Sequence, residues 1–155
     1  MTSTNHAMTG AVIALAVKQP ALAIPLAFMS HFVLDVIPHF GIYEDDVVRR
    51  NNNRLFRAVI GIDIPVMLAL LVIIPQLAAG KIAWGIVLAS MIAAVSPDSI
   101  WALRFIKEVR TKKWEPGGWY PRFHQAIQWF EKPIGLAIEL AWLLMMSVIF
   151  SRLVA

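Results

Sequence analysis

The order of apolar and polar positions divides the chain into long apolar segments separated by shorter polar ones. Three of these segments are continuous, at about residues 57–78, 82–103 and 133–153. Each is close to the ~20 residues that an α-helix needs to cross the hydrocarbon core of a bilayer. We therefore predict three transmembrane helices, because a helix closes its backbone hydrogen bonds internally where lipid offers no partner.

The amino-terminal apolar region is divided in two. Residues 7–17 and 21–37 are apolar, and Lys18, Gln19 and Pro20 lie between them. Charge and proline together favour a turn, and residues 7–17 alone are too few to span a bilayer. We predict a helical hairpin here. The alternative is one kinked span over residues 7–37, because membrane helices tolerate proline.

These elements predict an all-α fold: an integral membrane helical bundle of about three full transmembrane helices plus an N-terminal helical hairpin. Composition agrees, since 59% of the residues are hydrophobic and only 15% are charged, unlike an ordinary soluble domain. A chain of 155 residues has room for one such bundle, so we predict a single domain over residues 1–155. Residues 1–9 carry no Lys or Arg, so we expect this end to be retained and not cleaved as a signal peptide.

Basic residues are concentrated in two polar segments. By the positive-inside rule these segments lie on the cytoplasmic side of the membrane. The net charge of +4 is then explained by side chains that face anionic lipid, so we predict the lipid bilayer as a partner and no nucleic acid. The basic residues are Arg49, Arg50, Arg54 and Arg57 in the first segment, and Arg104, Lys107, Arg110, Lys112, Lys113, Arg122 and Lys132 in or beside the second.

Candidate chemistry begins with the polar residues inside the second apolar segment. Ionisable groups in a membrane helix cost about 2.5–3.5 kcal/mol each and mark functional sites. His31 and Asp35 are four residues apart, so they share one helix face and can clamp one metal ion, or hydrogen-bond each other and hold helices together. His39 is about 12 Å further along a continuous helix. Because Pro38 ends that helix, His39 either folds back to the pair or serves a second ion.

Other ionisable residues are expected at the same membrane depth. With a hairpin, all four histidines lie on the cytoplasmic side, and Asp63 and Asp98 lie within two turns of that side. The chain has no cysteine, so any metal must use His, Asp or Glu. Glu139 could act as a general base or only pair with Arg or His. The predicted metal ligands are His6, His31, Asp35, His39, Asp98 and His124, and the predicted catalytic residues are Asp98, Asp63 and Glu139.

Three motifs resemble those of the small bacterial inner-membrane proteins called membrane-bound metal-dependent hydrolases. They are Asn5-His6 followed by Gly10, the segment from Ser30-His31 through Asp35 to Pro38-His39, and Ser96-Pro97-Asp98. The His-x3-Asp pair is also remotely similar to ligands of zinc-dependent phospholipase C. The resemblance implies a bacterial inner-membrane protein with one or two zinc-type ions acting on a phosphoester, including those of lipids. The family's Pro-Asp-x-Asp-His run is here Pro97 to Trp101, without its second Asp and its His.

The expected mechanism is hydrolysis. A bound divalent metal, zinc for example, activates water and polarises a phosphoryl oxygen, and Arg104 or Arg122 binds the anionic substrate. The expected substrate is an amphipathic or phosphorylated small molecule, and the chain can work as an oligomer. The alternatives are a metal or proton translocation protein using Asp63, Asp98 and Glu139, and a non-catalytic protein stapled by its metal. Nothing in the sequence fits a nucleophile elbow, a phosphate-binding glycine loop or a dinucleotide fingerprint.

Overall fold

The computed structural model describes residues 1–42, 51–111 and 118–155. Arg49, Arg50, Lys112 and Lys113, which contributed to the predicted orientation, lie outside the described residues. The described part of the chain contains seven named helices. They are α1 (Ser3–Val17), α2 (Pro20–Val36), α3 (Arg54–Leu77), α4 (Trp84–Val95), α5 (Pro97–Thr111), α6 (Trp119–Ile127) and α7 (Gly135–Val154).

The amino-terminal region forms two helices joined by a tight turn. Lys18 ends α1 in the left-handed conformation with φ of 60°, and its backbone N–H donates to the Ala14 carbonyl at 2.9 Å. Pro20 starts α2, where its missing N–H costs no helical hydrogen bond. The helices α1 and α2 pack against each other, so the region is a pair of helices and not one kinked span.

Two helices, α3 and α7, are long and apolar enough to cross a membrane. The predicted span at 82–103 is not one straight helix, because α4 and α5 meet at Ser96 with a bend of 49°. Pro97 explains the break, since it has no backbone N–H with which to continue the hydrogen bonds of α4. Among the described residues there are thus two candidate spans, or three if the bent pair is counted as one.

Compared with a soluble protein, apolar and ionisable side chains have exchanged places between the surface and the interior. Large apolar side chains face outward along the candidate spans, for example Val72 at 66% and Leu144 at 67% exposed. Histidine and carboxylate side chains lie inside, with His6 and His31 at 0% and Glu139 at 2% exposed. This arrangement is typical of a bundle whose surroundings are lipid and whose polar groups turn to the interior.

Helix α1 lies at the centre of the bundle, where it packs against α2, α3, α4 and α7. Its close contact with α4 depends on Gly10. A Cβ atom there would lie 2.6 Å from the Ser90 carbonyl oxygen and 3.0 Å from Cα of Met91. Small residues at such a crossing let two backbones approach closely, which is a common basis of helix packing in membranes.

The segment after α2 is held by the segment before α7. The His39 backbone N–H donates to the Phe130 carbonyl at 3.3 Å, and the Lys132 N–H donates to the His39 carbonyl at 3.2 Å. Together these bonds form an isolated parallel β-bridge between His39 and Glu131. The bridge fixes the end of the α1–α2 pair to the start of α7.

Candidate metal centre

The side chain of Asp35 lies at the centre of the buried polar residues and is 1% exposed. Its Oδ1 accepts a hydrogen bond from the Met1 amino group at 2.6 Å and lies 3.2 Å from Nε2 of His6. Its Oδ2 lies 2.8 Å from Nε2 of His124 and 3.3 Å from Nε2 of His31. Because α1, α2 and α6 supply these side chains, one carboxylate connects three helices.

His31, Asp35, Asp98 and His124 each place one ligand atom within 4.8 Å of the others. Nε2 of His31 lies 3.1 Å from Nε2 of His124 and 3.6 Å from Oδ1 of Asp98. Ligand atoms that sit 2.0–2.1 Å from a tetrahedral zinc ion are roughly 3.3 Å from one another. The contacts of His31 and His124 lie close to that spacing, and all four ligand atoms lie within 4.8 Å of one another, so two imidazoles and two carboxylates could hold a divalent metal.

The His31 ring is oriented by a backbone contact. Its Nδ1 lies 2.8 Å from the carbonyl oxygen of Ala94 at the end of α4. A carbonyl can only accept, so Nδ1 carries the hydrogen and Nε2 faces the other three residues. Histidine ligands of metals are commonly held by such a bond from the second ring nitrogen.

His6 lies beside this group. Its ring stacks on that of His31 with centroids 4.0 Å apart, which rules out the arrangement with the two histidines on opposite sides of the membrane. His6 is 0% exposed, and neither of its ring nitrogens has a hydrogen-bond partner in the described structure. Buried polar atoms without a partner are rare and call for an explanation. A metal ion bound near Asp35 would give Nε2 of His6 a partner.

Tyr120 in α6 and Gln128 directly after it make contacts that the sequence analysis did not identify. The Tyr120 ring stacks on His124 with centroids 5.8 Å apart, and the Gln128 side-chain amide donates to Oδ2 of Asp35 at 3.2 Å. Tyr120, His124 and Gln128 follow one another at intervals of four residues. That spacing puts them on one helix face, and it is the signal by which they could have been found.

The Tyr120 hydroxyl is a hydrogen-bond donor to the start of α5. Burial raises the pKa of Tyr120 above its ordinary value, and the charges of Asp98 and Asp35 raise the pKa further. The hydroxyl therefore keeps its proton and donates it to the Pro97 carbonyl at 3.1 Å. This bond connects α6 to the bend that presents Asp98.

The carboxylates of Asp63 and Glu139, predicted to be catalytic, accept hydrogen bonds from the amino-terminal backbone. The two oxygens of Asp63 accept from the N–H groups of Ser3 and Thr4, each at 2.9 Å. Oε2 of Glu139 accepts from the N–H of Thr2 at 3.1 Å. These bonds cap the start of α1, where free N–H groups and the helix dipole favour a negative charge, and so they help to position His6.

His39 does not belong to the group formed around Asp35. Its Nδ1 lies 2.7 Å from the Ile37 carbonyl oxygen, and its Nε2 lies 3.7 Å from Oε1 of Glu131. The sequence left open whether His39 folds back to the pair His31 and Asp35 or lies apart from it. The β-bridge decides it, because it holds the His39 backbone beside Glu131.

A cavity of about 530 Å³ opens beside the metal-ligand group and is bordered by Asp98 and His124. Its size lies in the range of small-molecule sites. Arg104 borders it and pairs with Glu108 at 2.6 Å. An apolar part of the wall is made by aromatic and aliphatic side chains, namely Phe56, Ile60, Ile100, Trp101 and Phe105.

Comparisons with protein-family models, with curated proteins and with solved structures each found no match.

Proposed function

We propose that this protein is a membrane-embedded, metal-dependent hydrolase of phosphoesters. The observation that carries the proposal is the metal-like spacing of His31, Asp35, Asp98 and His124 beside a cavity that Asp98 and His124 border. The similarity of its motifs to membrane-bound metal-dependent hydrolases supports the same activity. A bound zinc-type ion would supply Lewis acidity to the phosphoryl group and make water a nucleophile near neutral pH.

The chain's own residues have separate roles in this proposal. His31, Asp35, Asp98 and His124 hold the metal, with His6 stacked on His31 as a further ligand. The Ala94 carbonyl orients one imidazole. Arg104 on the cavity wall offers positive charge to the phosphate, and such charge stabilises the transition state of phosphoryl transfer.

The cavity favours an amphipathic substrate. Its metal side is polar and charged, whereas Trp101 and Phe105 stack at 5.0 Å on its apolar wall. A substrate with a phosphate at one end and an apolar group at the other, such as a phospholipid, would match both walls. In the Pro-Asp-x-Asp-His run of the resembled family, the second Asp and the His correspond to Ile100 and Trp101 of this chain. Both residues border the cavity, which supports one ion and not two.

The rival function as a proton or metal pathway has less support. A pathway needs polar groups through the full depth of the bundle. The half of α1 beyond Gly10 is instead packed in an apolar cluster with residues of α3, α4 and α7. That cluster includes Ala11, Ala14, Leu15, Ile74, Val87, Met91 and Phe150.

Elemental mass spectrometry of the detergent-purified protein tests the metal centre. We expect near-stoichiometric zinc or another divalent metal in the wild type, and its loss in His31→Ala and Asp98→Asn. Ser99→Ala is the matched control, because the Ser99 side chain is exposed and, among the residues that the structure describes, donates to the Ser96 carbonyl of its own helix end. A wild type without metal after purification free of chelators would overturn the proposal.

The same variants test catalysis. We expect metal-dependent hydrolysis of aryl and alkyl phosphoesters by the wild type and by Ser99→Ala, and a loss of at least about 100-fold in Asp98→Asn, since removing a metal ligand removes the Lewis acid. A bound metal with no hydrolysis of any phosphoester would favour a metal that only stabilises the bundle.

A further inference from the structure

The cavity beside the metal-ligand group has a second buried histidine in its wall. His39 borders this cavity, as Asp98 and His124 do, yet the whole residue is only 1% exposed. The hydrolysis proposed above leaves this side chain without a role.

Among the described residues, one nitrogen of the His39 ring has a hydrogen-bond partner and the other has none. Nδ1 lies 2.7 Å from the Ile37 carbonyl oxygen, so Nδ1 carries the hydrogen and donates it. Nε2 is buried and has no hydrogen-bond partner in the described structure. Oε1 of the Glu131 carboxylate lies 3.7 Å from Nε2, so a proton carried on Nε2 would face a negative charge.

The backbone around His39 is held on several sides. The β-bridge contacts hold His39 against the segment before α7, and the Phe40 N–H donates to Oε1 of Glu139 at 2.9 Å. Gly135 packs so closely on the His39 backbone that a Cβ atom there would overlap it. Such support from surrounding residues is typical of side chains that must keep an accurate position.

Resting on the proposed hydrolysis, we propose that His39 donates a proton to the leaving alcohol of the substrate. Water adds to phosphorus, the bond from phosphorus to the leaving oxygen breaks, and the proton on Nε2 passes to that oxygen. The alcohol departs neutral. The imidazole regains its proton from the solvent, which has taken up the proton lost by the attacking water.

The position of His39 suits this role. A phosphoester bound with its phosphoryl group at Asp98 and His124 has its leaving group in the same cavity that His39 borders. A leaving alkoxide is a strong base and benefits most from a positioned acid, whereas 4-nitrophenolate leaves readily without one. General acids contribute about 10²–10⁴-fold where the leaving group needs them.

The test compares the wild type with His39→Gln and Glu131→Gln on a series of aryl phosphoesters and on an alkyl phosphoester, with metal content measured for each protein. We expect His39→Gln to keep its metal, to hydrolyse the 4-nitrophenyl ester within about fivefold of the wild type, and to lose about 100-fold or more on the alkyl ester. The rate of the variant should fall more steeply as the leaving group becomes more basic. Glu131→Gln should change the rates in the same direction by a smaller factor.

Other outcomes separate the possible errors. An equal loss on all esters would overturn the role of proton donor, since a structural or binding role would not depend on the leaving group. Loss of metal in His39→Gln would also overturn it and make His39 a ligand. Absence of hydrolysis in the wild type would overturn the proposed function itself. Should His39→Gln fail to fold, the leaving-group dependence of Glu131→Gln decides the matter, and a dependence equal to that of the wild type contradicts the proposal.

Discussion

At the scale of residues, the site consists of ionisable side chains that are stable inside the bundle because they contact one another. Asp35 is buried with His6, His31 and His124 within 3.3 Å of its oxygens. A buried carboxylate that lost these partners would be strongly destabilising, whereas the complete group compensates each charge. The mutual compensation of these charges explains why ionisable residues occur inside an otherwise apolar bundle.

Metal binding should depend on pH. Imidazole binds a metal only when the ring nitrogen is deprotonated, so protons compete with the metal for His31 and His124. We expect the measured affinity for zinc to fall as the pH is lowered and to level off as it is raised. Titration of the metal-free protein at several pH values measures this. An affinity that does not change with pH would contradict competition between protons and the metal for these rings.

The Asp63 carboxylate should act on stability more than on chemistry. In Asp63→Asn, one amide N–H₂ group would face the backbone N–H groups of Ser3 or Thr4 and lose a hydrogen bond, which costs about 1–3 kcal/mol. We expect a lower melting temperature in detergent with the metal still bound. If Asp63→Asn keeps full stability and metal but loses hydrolysis, Asp63 is catalytic as the sequence analysis predicted.

At the scale of elements, small residues and prolines decide how the helices meet. Gly10 lets α1 approach the backbone of α4, and Pro97 divides one apolar segment into α4 and α5. The bend between them is 49°, and Asp98, the residue after Pro97, lies at the start of α5 in the metal-ligand group.

The packing of α1 on α4 predicts different effects at two glycines. Gly10→Ala forces its new methyl group against the Ser90 carbonyl, and such overpacking costs about 1–3 kcal/mol. Gly61→Ala in α3 is the control, because nothing lies within 4 Å of a Cβ atom there. Thermal unfolding in detergent should show a marked decrease for Gly10→Ala only. Equal stability of the two variants would contradict the close contact.

At the scale of the whole molecule, the proposed metal connects parts of the chain that are far apart in sequence. Its proposed ligands come from α2, α5 and α6, with His6 of α1 as a further ligand, so metal binding and folding should be coupled. The basic residues of the two polar segments also predict how the molecule lies in the membrane.

Removal of the metal should destabilise the folded protein. A ligand that binds only the native state raises its stability in proportion to the logarithm of the ligand concentration over Kd. We expect a chelator to lower the melting temperature of the wild type, and added zinc to restore it. The Asp98→Asn variant should not respond to either treatment. A response of that variant equal to the wild type would place the metal elsewhere.

The orientation can be tested with single cysteines, because the chain has none of its own. Ser99 lies near the metal-ligand group, and Ser151 lies near the end of α7; both are exposed. If the site faces the cytoplasm, an impermeant thiol reagent applied to intact cells labels Ser151→Cys and leaves Ser99→Cys unlabelled until the cells are lysed. The reverse pattern would contradict the positive-inside assignment.

The sequence by itself determined the helical class and two of the three predicted spans, because apolar segments of about 20 residues have few other stable states in lipid. The third predicted span is bent by 49° between α4 and α5. It also indicated His31, Asp35, Asp98 and His124, since ionisable groups are costly among apolar residues. Only the tertiary structure decided that Asp63 and Glu139 bind backbone N–H groups and that His39 lies beside Glu131. The physical reason is that these contacts join segments remote in sequence, so their partners depend on how the helices pack and not on local spacing.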